Sequence, residues 1–387
     1  MKVRALVVLA FVVAPLVGLR PISADQDPGK AANRRATGAR QELARLSIPN
    51  TAETFVSLAA QGDLRAVRLF LDSGLSPDAR NRDGFTALIW SAGQGRLPVV
   101  NALLARGGDI NATSEDRTPA LMAAASQGHV RIVRLLIARG AIIDARRADG
   151  QTALIRSAAE NRNDSVKVLL ASGADIEAAD ARGMTSLIYA AANIGAEDPD
   201  GLTLPVVETL LSRGARPDHR AGDGSTALAW AARKGEQAIL QALISKNADV
   251  NSTDKDGRTP LMHAAMGGGA PSIAATLIAR KANVNARDKQ GTTALAMTAR
   301  RRTAGMLRLL LANGADPNRR DNEGATPLFE ATRFGRLENV RALLEGGTDP
   351  GLQDNRGRTS ADIAIANHQT AILAILTRAL PQTPSGR

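Results

Sequence analysis

One apolar position recurs at intervals of 33 residues in this chain, as between Leu88 and Leu121. After one longer interval the series continues to Leu328 at spacings of 33 or 34 residues. The full series is Leu88, Leu121, Leu154, Leu187, Leu228, Leu261, Leu295 and Leu328. A fixed period in this range indicates a solenoid, in which each unit buries its apolar face against its neighbours. This pattern constrains the fold more than any other feature of the sequence.

Residues 83–115 show the repeated unit most clearly. A short apolar helix face begins at Leu88, and Gly95 is placed to end that helix. A second apolar set with helical spacing stops at Gly107. That second set is Val99, Val100, Leu103 and Leu104. The unit therefore predicts two short helices followed by a polar turn, and the chain is predicted to be all-α.

The composition suits such a stack. Hydrophobic residues make up 44% of the chain but aromatic residues only 2%, so Ala, Leu, Ile and Val must build the core. A chain of 387 residues ordinarily suggests roughly two or three domains, but a continuous stack of repeats has no internal boundary. The sequence contains no cysteine, which excludes disulfides, thiol nucleophiles and thiolate metal sites.

Several units share a longer motif. Residues 259–265 read Thr-Pro-Leu-Met-His-Ala-Ala, and residues 314–318 read Gly-Ala-Asp-Pro-Asn. Thr caps a helix start, and Pro is tolerated in the first helical turn. With this opening, a Gly between the helices and this ending, residues 51–380 resemble the ankyrin-repeat family. The resemblance implies a solenoid of helix–turn–helix units with β-turn fingers. It also implies a binding surface on the fingers and inner helices, and no enzymatic activity.

Ten units, counting both ends, fit into residues 51–380, and we expect the first and last to cap the stack. The fifth unit, residues 182–222, is eight residues longer than the standard unit. The extra residues, 193–204, are predicted to lengthen the loop between its two helices. This insertion is either a functional loop or a tolerated surface loop. In the eighth unit Arg302 replaces the Gly between the helices, which predicts backbone strain of about 1 kcal/mol.

The two ends of the chain differ from the repeats. Residues 1–24 have the pattern of a signal peptide, with Lys2 and Arg4 before an apolar run from Ala5 to Leu19. That run is shorter than the roughly 20 residues that a membrane span needs, although retention as an anchor is the alternative to cleavage. Residues 25–50 are predicted to be a flexible linker that becomes helical near Gln41–Leu46. Residues 381–387 are predicted to be a disordered tail.

The first set of candidate partner-binding residues occupies the position two residues after each recurrent leucine. Both tryptophans and the only tyrosine of the chain fall in this column. The bulky and charged candidates in it are Trp90, Arg156, Tyr189, Trp230 and His263. They form either a row of aromatic anchors for a peptide or protein, or a half-buried slot that accepts any bulky residue for packing.

A second set of candidates lies just before the loop between the two helices. In the C-terminal half these positions become basic, and Arg302 and Arg336 lie close to them. The candidates are Arg233, Lys234, Arg300, Arg301, Arg333 and Phe334. Together with a formal net charge of +11, they predict a basic inner face that binds an acidic partner. The alternative is an ordinary solvated charged surface.

Other function classes find little support in the sequence. The four histidines have no carboxylate, serine or cysteine at a spacing that indicates a catalytic triad or a metal site, and no glycine-rich phosphate loop follows a strand. We therefore expect no cofactor and no enzymatic activity. Predicted export and the missing row of basic and aromatic residues argue against nucleic acid as the partner.

The predicted function is that of a monomeric protein-binding scaffold in the periplasm or outside the cell. The periplasm is preferred because the Ala- and Arg-rich composition is typical of a bacterial chain. An effector that binds a protein of another, host cell is the alternative. No membrane span is expected after cleavage of the signal peptide.

Overall fold

The computed structural model describes residues 28–192, 203–268 and 270–380. These residues form 21 helices and, apart from isolated β-bridges, no strands. The N-terminal helix α1 spans Pro28–Arg45, and ten helix pairs follow it. The pairs are α2 and α3 (Ala52–Gln61, Leu64–Asp72), α4 and α5 (Ala87–Gly93, Leu97–Ala105), α6 and α7 (Ala120–Ser126, Val130–Ala138), α8 and α9 (Ala153–Ala159, Asn163–Ala171), α10 and α11 (Ser186–Ala192, Thr203–Ser212), α12 and α13 (Ala227–Lys234, Gln237–Ser245), α14 and α15 (Pro260–Met266, Pro271–Ala279), α16 and α17 (Ala294–Ala299, Gly305–Ala312), α18 and α19 (Pro327–Arg333, Leu337–Glu345), and α20 and α21 (Ser360–Ala366, Thr370–Ala379). The predicted all-α solenoid is confirmed.

The ten pairs form two layers. The first helix of each pair, called the inner helix below, packs against the inner helices of the neighbouring pairs. The second, outer helices pack on each other in the same way. The recurrent leucines belong to one continuous core and are at most 2% exposed. These leucines are Leu88, Leu121, Leu154, Leu187, Leu228, Leu261, Leu295 and Leu328.

Local sequence explains where the inner helices begin and end. Seven of them begin at a threonine whose hydroxyl accepts a backbone N–H of the first turn, as Thr86 does from Ile89 at 3.3 Å. In the third unit Pro119 takes this position, and that helix has no side-chain cap. Gly95 follows α4 with a φ of 73°, a left-handed conformation that favours glycine.

Arg302 differs from its prediction. The residue occupies the place of the inter-helix glycine, but its φ is not positive. Helix α16 ends at Ala299, and the chain leaves it through a bend at Arg301 and Arg302. Because this path needs no left-handed residue, the prediction of backbone strain at Arg302 is wrong.

The predicted flexible linker is a second correction. Residues 28–45 form the single helix α1, which packs against α3 in the outer layer. Leu43 is 1% exposed, and the Arg40 Nε donates to the Ser73 carbonyl at 3.1 Å. Helix α1 therefore extends the outer layer by one helix beyond the first pair. The sequence predicted only the part of this helix near Gln41–Leu46, because a single terminal helix has few apolar residues to bury.

The turns between pairs form the predicted fingers. Isolated antiparallel bridges, such as the one between Arg80 and Thr86, close the base of a finger. Neighbouring fingers are also linked to each other, since the Lys255 N–H donates to the Asp223 carbonyl at 2.8 Å and the same bond recurs in other units. These links place the fingers side by side along the stack.

Three predictions concern residues outside the described ranges. They are the signal peptide at 1–24, the tail at 381–387 and most of the insertion, residues 193–202. The helices on either side of the insertion end at Ala192 and begin at Thr203, so it does lie between the two helices of the fifth pair. No helix within the described ranges is long and apolar enough to cross a membrane.

Candidate protein-binding groove

The inner helices and the fingers form one continuous surface, called the groove face below. The first set of candidates, Trp90 and its equivalents, stands at the fourth residue of each inner helix. The structure divides this column into exposed and buried members. Trp90 is 36% exposed and Arg156 and Trp230 are partly exposed, whereas Tyr189 and His263 are buried. The column is therefore not one uniform row of aromatic anchors.

Tyr189 supports a finger from below. Its hydroxyl donates to Asp180 Oδ2 at 2.8 Å and accepts from the side chain of Gln151 at 2.8 Å. Arg182 also donates to this hydroxyl. Burial, together with the hydrogen bond to Asp180, raises the pKa of the Tyr189 hydroxyl. Tyr189 thus joins its inner helix to the preceding finger and offers little surface to a partner.

His263 repeats this arrangement with different chemistry. Its Nε2 lies 2.9 Å from Asp254 Oδ2, while Asp254 Oδ1 accepts the backbone N–H groups of Asp256 and Arg258. Burial lowers the pKa of the His263 imidazole, although the neighbouring Asp254 carboxylate opposes this effect. His263 is 6% exposed. For Tyr189 and His263 the packing interpretation of the column has the better support.

Trp90 lies at the edge of an open hollow near the N-terminal end of the groove face. Its ring packs against Phe85 with a centroid distance of 5.3 Å. The hollow has a volume of about 430 Å³, and Ile89 and Met122 form part of its apolar lining. We call this site the tryptophan hollow. It offers a partner an exposed aromatic face beside a space that accepts an apolar side chain.

Two arginines on the wall of the tryptophan hollow are already paired. Arg156 contacts Glu160 at 3.0 Å, and the Arg147 Nε lies 3.1 Å from an oxygen of Asp116. Each positive charge therefore has a carboxylate beside it. The hollow therefore combines apolar side chains with charges that are already paired.

Trp230 is held in place by a polar chain. Its indole Nε1 donates to Ser225 Oγ at 2.9 Å, and Ser225 Oγ donates to Asp223. The guanidinium of Arg233 lies over the indole ring at 5.7 Å from its centroid. Arg233 and Lys234 are exposed at the end of α12, so this pair presents positive charge on a fixed aromatic support.

The basic candidates continue in the eighth and ninth units. The Arg300 Nε lies 2.8 Å from Glu330 Oε2, and Glu330 is buried. Arg333 is exposed and makes no ion pair within the described part of the chain. Phe334, next to it, is 45% exposed. Arg333 and Phe334 are therefore accessible, whereas part of the charge on Arg300 is balanced by its neighbour.

Arg301 has a structural role that the sequence does not reveal. Its Nε donates to the Ala265 carbonyl at 3.0 Å, at the end of the preceding inner helix. Arg336 makes the equivalent bond to the Arg300 carbonyl at 2.9 Å. Similar bonds link other inter-helix loops to the preceding unit, as from Arg96 to the Ala60 carbonyl at 3.0 Å. Such donors suit the carbonyl-rich C-terminal ends of helices.

Sequence reasoning missed the other walls of the tryptophan hollow. Phe85 precedes the helix-capping threonine, Met122 follows a recurrent leucine, and Arg147 stands in a finger. None belongs to the column that carried the prediction, although Phe85 is one of only six phenylalanines in the chain. That rarity was the signal available in the sequence.

The described residues contain no group of three or more His, Asp or Glu side chains placed to hold a metal ion. The buried polar contacts of the column instead connect helices to fingers. The groove face therefore presents a surface for binding, with the tryptophan hollow toward one end and exposed cations toward the other.

Comparison with known families identifies this architecture. A model of three ankyrin repeats matches residues 100–180, 121–198, 196–288, 267–354 and 295–381. A related model of many ankyrin repeats matches residues 55–104. This chain belongs to the ankyrin-repeat family. Ankyrin repeats are in general a non-enzymatic protein–protein interaction module, and this ankyrin-repeat chain has the two helical layers and fingers of such a module.

Similar segments occur in larger proteins. The chain is 42% identical over 69 residues to SH3 and multiple ankyrin repeat domains protein 2 of Homo sapiens. It is 41% identical over 68 residues to the inactive serine/threonine-protein kinase TEX14 of Bos taurus. Each match covers 18% of this chain and 4% of the relative. The likeness is therefore confined to a small part of each of these proteins.

Proposed function

We propose that this ankyrin-repeat chain is an exported, monomeric scaffold that binds another protein along its groove face in the periplasm. The exposure of Trp90 beside an open apolar hollow carries the proposal. Large aromatic side chains that border pockets are enriched among the residues that dominate protein binding. The exposed cations Arg233, Lys234 and Arg333 favour a partner with an acidic surface.

Capture of partners from a periplasmic extract tests the groove. The purified protein is immobilised in two forms, wild type and Trp90→Ala. We expect the wild type to retain a partner protein that Trp90→Ala binds at least about 30-fold more weakly, as loss of about 2 kcal/mol at a central aromatic residue implies.

Leu46→Ala is the matched control for this capture. Leu46 is 38% exposed, similar to Trp90, but it follows α1 and does not line the hollow. Equal retention by all three forms would reject the groove as the binding surface. Thermal unfolding of each form checks that the substitutions leave the fold intact.

Export is a separate part of the proposal and rests on Lys2, Arg4 and the apolar run at residues 5–19. Cell fractionation with mass measurement of the protein tests it. We expect a periplasmic chain that begins near residue 25. An intact Met1 in the cytoplasmic fraction contradicts export, and recovery from the medium or from a second cell favours the extracellular or effector alternatives.

A further inference from the structure

Four arginines share one small hollow at the loop edge of the groove face. They are Arg300, Arg301, Arg302 and Arg336, and Gly268 and Thr303 complete the lining. The hollow has a volume of about 400 Å³. We call it the arginine hollow. It belongs to the inter-helix loops of the seventh to ninth units, away from the column that contains Trp90.

Two of the four guanidinium groups are fixed by the fold. The Nε atoms of Arg301 and Arg336 donate to carbonyls of the preceding unit at 3.0 and 2.9 Å. Each group keeps its terminal nitrogens for another acceptor, because a guanidinium has five N–H donors. Arginines held in this way lose less conformational entropy when they bind an anion.

Only one of the four arginines in the hollow, Arg300, has an ion-pair partner among the described residues. Glu330 pairs with Arg300, and its side chain is 6% exposed. Arg302 is exposed and has no ion pair among the described residues. Its backbone is not left-handed, and its side chain makes no hydrogen bond to the described part of the chain. Like charges that share a hollow repel each other, and an anion placed among them removes that repulsion.

The positive surface does not extend into the neighbouring hollow. Arg300 also lines an adjacent hollow of about 470 Å³, which Lys289 and Arg333 border. Asp288, Asp321, Glu323 and Glu330 border it as well, so excess positive charge is concentrated at the arginine hollow. A compact anion such as a single phosphate needs one cluster of donors. The arginines of this hollow come from two successive units, and donors spread in this way suit an extended chain with several carboxylates.

We propose that the arginine hollow binds neighbouring carboxylates from an extended acidic segment of the partner protein. This assignment rests on the proposed protein-binding function and names the chemistry of its C-terminal part. Planar guanidinium groups bind carboxylates through two parallel hydrogen bonds, which gives both affinity and orientation. Arg302 supplies the free guanidinium, and Arg301 and Arg336 supply the fixed ones.

Fluorescence anisotropy with labelled peptides tests the assignment. The probe is a short unstructured peptide with four consecutive glutamates, and the comparison peptide carries glutamines at the same positions. We expect the purified protein to bind the glutamate peptide at low ionic strength and to bind the glutamine peptide at least tenfold more weakly. Binding should weaken further as salt is raised, because screening shortens the reach of exposed charges.

Variants locate the binding to the hollow. Arg302→Glu reverses an exposed charge without removing an inter-unit hydrogen bond, and we expect at least a tenfold loss of affinity for the glutamate peptide. Arg131→Glu makes the same charge change on the outer helix α7, where Arg131 is exposed. That control should retain wild-type affinity within about twofold. Equal weakening in both variants would overturn the assignment, since it would reflect net charge alone.

Two other anions test whether the arginine hollow binds phosphate rather than carboxylate. Inorganic phosphate or a phosphoserine peptide that binds the hollow more tightly than the glutamate peptide overturns the carboxylate assignment in favour of a phosphate site. Capture of a partner that still depends on Trp90 but not on Arg302 overturns the arginine hollow and leaves the proposed function standing. Peptide binding that depends on Arg302, without any Trp90-dependent partner, supports the hollow and counts against the proposed function.

Discussion

The two ends of the groove face have the same backbone but different surfaces. Near the N-terminus, Trp90 and Phe85 border an apolar hollow whose arginines are paired with acids. Near the C-terminus, Arg302 and Arg333 are exposed without such partners in the described chain. The helix pairs and the buried leucines are alike at both ends. The repeat therefore sets a common frame, while a few variable positions give each end a different surface.

Between the two ends, two members of the column that contains Trp90 stabilise the fold. Tyr189 and His263 are buried and hold Asp180 and Asp254 of the preceding fingers. Their positions are equivalent to that of Trp90, but their polar atoms point to a finger carboxylate. The middle of the groove face therefore combines these structural residues with the partly exposed Trp230 and the exposed Arg233.

A core substitution between the ends should have the largest effect. Leu154→Ala removes a side chain that is 1% exposed in the fourth unit. We expect the free energy of unfolding in urea to fall by about 2–5 kcal/mol, because a buried leucine leaves a cavity. One shared transition would show that the two ends unfold together, whereas two transitions would show that they are separate folding units.

Salt dependence should separate the two ends in binding. For a captured partner, Trp90→Ala is expected to lower affinity without changing its dependence on salt. The double variant Arg302→Glu and Arg333→Glu should weaken binding about 10- to 30-fold at low salt and flatten the salt dependence. Titration of the partner at several salt concentrations measures both effects. The same salt dependence in all forms would contradict a division between apolar and charged ends.

Helix caps test whether the frame is equally strong at both ends. Thr86 and Thr293 cap equivalent helices, one in each half, with bonds of 3.3 Å. Replacing either by Ala should cost about 1 kcal/mol of unfolding free energy. Pro119→Ala, at a start without a side-chain cap, removes no such bond and serves as the comparison. Clearly unequal costs at Thr86 and Thr293 would show that the two halves differ in more than their surfaces.

The smallest expected effect is a pH dependence at His263. Burial lowers the pKa of this imidazole in the folded protein. As the pH falls through the ordinary pKa of histidine, the unfolded chain therefore binds more protons than the folded protein does. Stability should therefore fall as the pH decreases from neutral through that range. In His263→Gln this part of the decrease should disappear, as thermal unfolding between pH 7 and 5 would show. An unchanged pH profile in the variant would exclude His263 as the source.

Much of this fold is visible in the sequence because short-range chemistry determines it. The spacing of Leu88 and its equivalents predicted the core, and the threonines and Gly95 predicted helix ends. Only the end of helix α1, near Gln41–Leu46, was predicted, since the helix lies outside the period and buries little. The strain expected at Arg302 was wrong because α16 ends at Ala299 and the chain then bends at Arg301 and Arg302 without a left-handed residue.

The candidate residues show the same division. The sequence placed Trp90, Tyr189 and His263 in one column but did not reveal which of them is exposed. That depends on whether a finger carboxylate, contributed nine residues earlier in the case of Asp180 and Asp254, meets the side chain. Likewise, Arg300 pairs with Glu330 of the next unit, whereas Arg302 and Arg333 have no ion-pair partner among the described residues.

The sequence by itself determined the period, the helix type and the family of this protein, because each repeat carries its own apolar face, caps and turns. The tertiary structure decided which equivalent side chains are buried, which charges are paired and which arginines share a hollow. These properties arise between units, where side chains of neighbouring repeats share the same acceptors and the same space.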